Sequence, residues 1–114
     1  MKLEDIYKFF ENPPPNYLCQ ELAVCYILHV LIQGESYGSE LIDRLETEHP
    51  RYRLSDTVLY NAVKFLEEQK AITGYWKKNH GRGRPRRMYQ ICLKWQVQAI
   101  HLAHLWQEYI KKTN

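Results

Sequence analysis

Apolar residues fill positions 18–33 almost without a polar break: Leu18, Leu22, Ala23, Val24, Tyr26, Ile27, Leu28, Val30, Leu31 and Ile32. A helix that is apolar on every side is a buried, central one. This stretch is therefore the expected core helix, with Gly34 ending it as a C-cap. The pattern then turns amphipathic. Gly38, Leu41, Ile42 and Leu45 recur at helical spacing. They predict a helix over about 37–48, with Ser36 as its N-cap and Pro50 beyond its end. Ser55 is the expected N-cap of the next helix, which runs to about Gln69 and carries two stripes. Leu59, Ala62, Val63 and Leu66 form an apolar one; Thr57, Tyr60, Asn61 and Lys64 form a polar one nearly opposite.

Period two follows. Segments of about 72–78 and 86–92, rich in aromatic and β-branched residues, predict strands, and His80-Gly81-Arg82-Gly83-Arg84-Pro85 joins them. A last helix is predicted over about 95–112. Its apolar stripe is Trp95, Ala99, Leu102, Trp106 and Tyr109, widened by Ala103 and Ile110. At the other end, residues 3–11 place Leu3, Ile6 and Phe10 on one helical face, with Phe9 beside it, before Pro13-Pro14-Pro15 stops the helix. This segment is either a docking arm, on its own subunit or a neighbour's, or a frayed tail. The expected class is mainly α with a small β-hairpin (α+β). It divides into an arm over 1–17, a winged helix-turn-helix unit over 18–93 and a C-terminal helical segment over 94–114.

Charge sharpens this picture. Between Lys70 and Lys94 there are eight Lys or Arg and no Asp or Glu, although the chain holds thirteen acidic residues and a net charge of only +3. The clustering, not the total, points to an anionic partner. Duplex DNA fits, with roughly one charge per 1.7 Å of helix axis. At 114 residues the chain is expected to be one domain with its own core. Its three cysteines, Cys19, Cys25 and Cys92, are odd in number and set in apolar runs, which suggests reduced thiols in the cytoplasm rather than a disulfide framework. No apolar run reaches the roughly 18 residues of a membrane span, and no signal peptide is legible.

Helix, short link, helix and hairpin is the winged helix-turn-helix order, in which the second helix enters the major groove. Asn61 suits adenine, Lys64 guanine or phosphate, and Thr57 a thymine methyl group. Ser55 and the helix N-terminus offer donors to a phosphate. Asp56 accepts from a cytosine amino group or simply favours the helix dipole. Arg82-Gly83-Arg84-Pro85 suits a narrow minor groove, with Arg86 and Arg87 in reach of flanking phosphates. The plainer alternatives are a solvated helix face and a basic loop kept for solubility.

Four segments together resemble the PadR family of transcriptional regulators. They are Ser36-Tyr37-Gly38-Ser39-Glu40-Leu41, Leu54-Ser55-Asp56-Thr57-Val58-Leu59-Tyr60, Leu66-Glu67-Glu68-Gln69-Lys70-Ala71-Ile72, and Gly81-Arg82-Gly83-Arg84-Pro85-Arg86-Arg87-Met88-Tyr89. The resemblance spans roughly residues 20–110. It implies a winged-helix domain, a C-terminal dimerisation helix and, usually, repression. By family position it places Tyr37, Thr57, Tyr60, Asn61, Lys64 and the wing arginines against DNA. The Pro-rich N-terminal extension and the single short C-terminal helix narrow the resemblance to a clock-linked branch.

The expected partners are therefore double-stranded DNA, as an inverted-repeat operator, and a second copy of the chain. The stripe of Trp95, Leu102, Trp106 and Tyr109 offers more apolar area than one small domain is expected to cover, which marks an interface. The alternative is that it folds back onto the helix of residues 18–33. A second function class, an interaction module gripping an acidic protein with the arginine loop, is separated from DNA binding by salt-dependent duplex affinity. No enzyme, cofactor or metal is expected. His101 and His104 have a two-ligand spacing without a third ligand, and no nucleophile stands beside a base.

Overall fold

The computed structural model describes residues 2–11, 15–78 and 84–113, with backbone alone at 8–10 and 113. The expected core helix is α2 (Gln20–Gln33). Ala23, Tyr26, Ile27 and Leu28 on it are fully buried, and Val30 and Leu31 nearly so. The Gly34 N–H closes its end on the Leu31 carbonyl at 3.3 Å. Two helices cover it: α4 (Asp56–Glu68), through Ala62, Val63 and Leu66, and α5 (Gln96–Thr113), through Ala99, Ala103, Trp106 and Ile110. The remaining helices are α1 (Leu3–Glu11), with Leu3 and Tyr7 exposed, and α3 (Gly38–Glu48). A short 3-10 turn over Leu93–Trp95 leads into α5.

The sheet holds more than the hairpin. Strands β4 (Ile72–Lys77) and β5 (Arg86–Ile91) pair antiparallel, with Trp76 opposite Arg87 and Gly74 opposite Tyr89. A third strand, β2 (Ser36–Tyr37), adds to the far edge of β5 in the order β2-β5-β4. A separate parallel ladder joins β1 (Asn16–Tyr17) to β3 (Tyr52–Arg53) and places Leu18 in the core.

Strand β2 corrects one expectation. Ser36 does not cap α3: its backbone lies in the ladder opposite Tyr89, Tyr37 holds the N-cap position, and the Ser36 hydroxyl donates to Glu40 Oε1 at 2.6 Å. Ser55 does cap α4, its Oγ accepting the Val58 N–H at 3.2 Å. At the other end of α4, Lys70 takes a left-handed conformation (φ 60°). Lys70 N–H then donates to Glu67 O and Ala71 N–H to Leu66 O. This is the Schellman arrangement, with lysine where glycine is usual.

Trp106 binds the elements together. It is 1% exposed, meets Tyr26 edge-on at 5.2 Å and His49 at 5.8 Å, and stacks on Tyr109 at 6.4 Å. Edge-to-face rings place a positive edge on a negative face. The Tyr26 hydroxyl donates to the Leu41 carbonyl at 2.6 Å, tying α2 to α3. Burial holds that hydroxyl protonated far above the usual tyrosine range, with Glu48 pushing the same way.

This packing also bears on the stripe of α5. Trp95, Leu102, Trp106 and Tyr109 lie on the face that packs onto the chain's own core. Trp106 is buried within its own chain, whereas Trp95, Leu102 and Tyr109 beside it remain partly exposed. Val97 and Ile100 stand exposed on the opposite side of α5, with Leu105 flanking them and Leu93 just before it.

Two outcomes follow. Trp106→Ala is expected to cost about 3–5 kcal/mol by urea unfolding, whereas Asp43→Ala on the exposed side of α3 changes stability by less than about 0.5 kcal/mol. The second concerns His29, set between α2 and α5 with Nδ1 3.3 Å from Gln107 Nε2. Burial pushes its imidazole below the ordinary 6.5; Arg44 and His49 push the same way, and Glu48 opposes. The unfolded chain therefore takes up the proton first. The stability that neutral His29 contributes is full above about 6.5 and is lost as pH falls below it. Between about pH 7.5 and pH 5.5 the thermal midpoint of the parent is expected to fall further than that of His29→Gln.

Candidate nucleic-acid interface

The outer face of α4 is where the polar stripe was expected. Thr57, Tyr60, Asn61 and Lys64 are all exposed, while Ala62, Val63 and Leu66 on the same helix are buried. The division follows from the helical period: residues three and four apart share a face. The Ser55 cap uses the Val58 N–H, and the N–H groups of Asp56 and Thr57 stand at the positive end of the helix. Asp56, in the first turn, favours the same dipole. Tyr60 and Lys64, with Asp56, Glu67 and Tyr89, border an open groove of about 460 Å³ floored by Leu59 and Val63.

The start of α3 comes close to α4 at Gly38. A Cβ at this position would come 3.3 Å from Leu59 Cδ2, so glycine lets the start of α3 sit directly on the inner face of α4. The Tyr37 ring lies just before that contact. It is half-buried, and Arg86 Cζ stands 4.4 Å above its centroid.

The wing arginines divide into distinct environments. Arg84 is exposed, outside any strand. Arg86 is exposed but stacked on Tyr37. Arg87 is half-buried, with Nη2 3.5 Å from Glu67 Oε2 on α4 and Cζ 5.5 Å from the Trp76 ring centroid. Arg82 lies outside the described residues, as do His80, Gly81 and Gly83. On the opposite face of the hairpin, the Tyr75 hydroxyl donates to Glu35 Oε2 at 2.5 Å; this bond raises the tyrosine's pKa.

The sequence had placed α4 and the arginine loop but not the contacts between them. Glu35, Glu67 and Trp76 were not read as parts of this region. Glu67 sits at the edge of the apolar stripe in a run of two acids, which by spacing alone reads as solvated surface. Strand β2 is two residues long, too short for any periodicity to reveal it. Among the described residues no group of three His, Cys, Asp or Glu is placed to hold a metal ion, and no helix is long and apolar enough to cross a membrane.

Comparison with known proteins agrees with this geometry. Residues 27–94 match the transcriptional regulator PadR-like family. Over its full length the chain is 74% identical to the circadian clock associated protein Pex from Anabaena, whose solved structure it also covers completely, with a TM-score of 0.91. It is 60% identical to Pex from Synechococcus sp., with 96% of this chain and 98% of that one covered and a TM-score of 0.89. A transcriptional regulator from Clostridium thermocellum is 25% identical over 83% of this chain and 92% of its own, with a TM-score of 0.65. No match was found among curated proteins.

Proposed function

The chain belongs to the PadR-like family of transcriptional regulators, and from that premise we propose that it is a homodimeric, sequence-specific repressor that reads an inverted-repeat operator. Members of this family regulate transcription and are not enzymes, and the winged-helix fold of this chain is that of a DNA-binding regulator. The observation that carries the finer reading is the exposed stripe of Thr57, Tyr60, Asn61 and Lys64 on a helix whose other face is sealed into the core. In the major groove, Asn61 is assigned to adenine, Lys64 to guanine or a phosphate, and Thr57 to a thymine methyl group. Tyr60, Tyr37 and the capped N-terminus at Ser55 contact the backbone beside them. Arg84, with Arg82, is assigned to the adjacent minor groove, where narrow A·T segments attract arginine. By its likeness to the clock-associated Pex proteins, the proposed target belongs to a clock-linked circuit in the cytoplasm of the cell.

A second copy completes the operator reading. Val97, Ile100 and Leu105 are 81%, 53% and 49% exposed on α5, and a second α5 is the proposed cover. The α1 arm, with Leu3 and Ile6 exposed, is proposed to pack at the same seam. A two-fold dimer sets its recognition helices about 34–36 Å apart, one turn of DNA, or a multiple of it.

Operator affinity tests the reading helix. Asn61→Ala and Lys64→Ala are each expected to lose about 1–3 kcal/mol of specific binding, with nonspecific affinity nearly unchanged for Asn61→Ala because no charge is lost. Parental affinity in both folded variants would remove α4 from the recognition role. Sedimentation at micromolar concentration tests the assembly: a dimer is expected, dissociated by Val97→Asp with Ile100→Asp. A monomeric parent, or a dimer indifferent to that pair, would displace the seam from α5.

A further inference from the structure

The Arg87 side chain is seated on three sides. Its cross-strand partner is Trp76, whose ring centroid lies 5.5 Å from Cζ. Beneath it is Gly74, where an added Cβ would come 2.7 Å from Nε and 2.8 Å from Cζ. Across from it is Glu67 of α4, 3.5 Å from Nη2. The guanidinium therefore occupies the space that a side chain at position 74 would fill, and it bridges the root of the wing to the last turn of the recognition helix. Arg84 and Arg86 have no such bridge to α4: one is exposed, the other stacked on Tyr37 across the sheet.

We propose that Arg87 is a positioning residue, a latch through Glu67 that fixes the angle between wing and recognition helix, and that it is not a phosphate contact. The proposal rests on the DNA-binding reading above. Its physical content is a difference in sign. Glu67 is an acid near a surface that meets a polyanion, so removing its charge by itself strengthens binding. If Glu67 acts by holding Arg87, removing its charge weakens binding instead. Gly74 supplies a neutral version of the same test, because Gly74→Ala pushes the guanidinium off its seat without altering any charge.

The experiment measures affinity against salt concentration for a duplex selected in vitro with the parent chain. The variants are Glu67→Gln, Gly74→Ala, Arg87→Ala and the double variant Glu67→Gln with Arg87→Ala; circular dichroism melts confirm folding. The latch predicts that Glu67→Gln and Gly74→Ala each weaken binding about threefold, as suits a half-exposed ion pair. It also predicts a parental salt slope in all four variants, and a double variant no weaker than Arg87→Ala alone. If Gly74→Ala fails to fold, Glu67→Gln and the double variant decide. Binding by Glu67→Gln at or above the parental affinity, together with a slope for Arg87→Ala smaller by about 0.9, makes Arg87 a phosphate contact; it overturns the latch and leaves the DNA-binding reading standing. A parent chain that selects no duplex overturns both.

Discussion

Helix α2 has almost no side to give to water, and the rest of the molecule is arranged to cover it. Tyr26, Ile27 and Leu28 are consecutive and all fully buried, so no single neighbour suffices: consecutive residues on a helix point about 100° apart. Helix α4 takes one flank, α5 another, and the Tyr26 hydroxyl reaches α3 through Leu41. The orientation of the proposed reading face follows from this. Because Ala62, Val63 and Leu66 must face α2, the residues nearly opposite, Thr57, Tyr60, Asn61 and Lys64, must face outward. The proposed interface is the complement of the core, set by the same helical period.

Magnitudes separate what holds the fold from what aims the wing. A buried ring such as Trp106 contributes several kcal/mol against a net stability of roughly 5–15 kcal/mol. A half-exposed ion pair such as Glu67–Arg87 contributes roughly 0.2–1 kcal/mol, and a stacked arginine such as Arg86 on Tyr37 roughly 0.5–1 kcal/mol. Losing one of these contacts does not unfold the chain. They have leverage because they act toward the loop end of the hairpin, where Trp76 pairs with Arg87 and Lys77 with Arg86, rather than in the core. Tyr75–Glu35 and Arg86–Tyr37 pin one face of the sheet, Arg87–Glu67 the other.

The elements whose signal is long and periodic were legible in the sequence. The core helix, the two-striped helix with its Ser55 cap and the two long strands fall where the pattern of apolar residues puts them. Short elements and long-range polar contacts were not. Strands β1, β2 and β3 are two residues each, below any period, and Ser36 read as a cap because a serine before an amphipathic run has that local signature. Only the tertiary pairing of Ser36 with Tyr89 changes its role. The exposed residues of α4 were legible because exposure there is periodic. The partition of Arg84, Arg86 and Arg87 was not, because adjacent strand residues point to opposite faces and what each face meets is fixed elsewhere in the chain.

Helix α5 shows the limit of period alone. The aromatic stripe of Trp95, Leu102, Trp106 and Tyr109 looked like the better interface because it is larger. Size, however, is also what a core helix with no polar side demands of its neighbour. A stripe built from tryptophan and tyrosine fills the irregular space around Tyr26, His49 and Tyr52. The opposite stripe, Val97 and Ile100, is thinner and interrupted by His101 and His104. Its polar interruptions make it tolerable in water and still apolar enough to pair. A surface proposed to be covered only after the chain has folded needs that compromise, since a fully apolar one would compete with the core for α2 during folding. Trp106, at the centre of the stronger hydrophobic pattern, therefore belongs to the fold, and the weaker pattern of Val97 and Ile100 is the proposed seam.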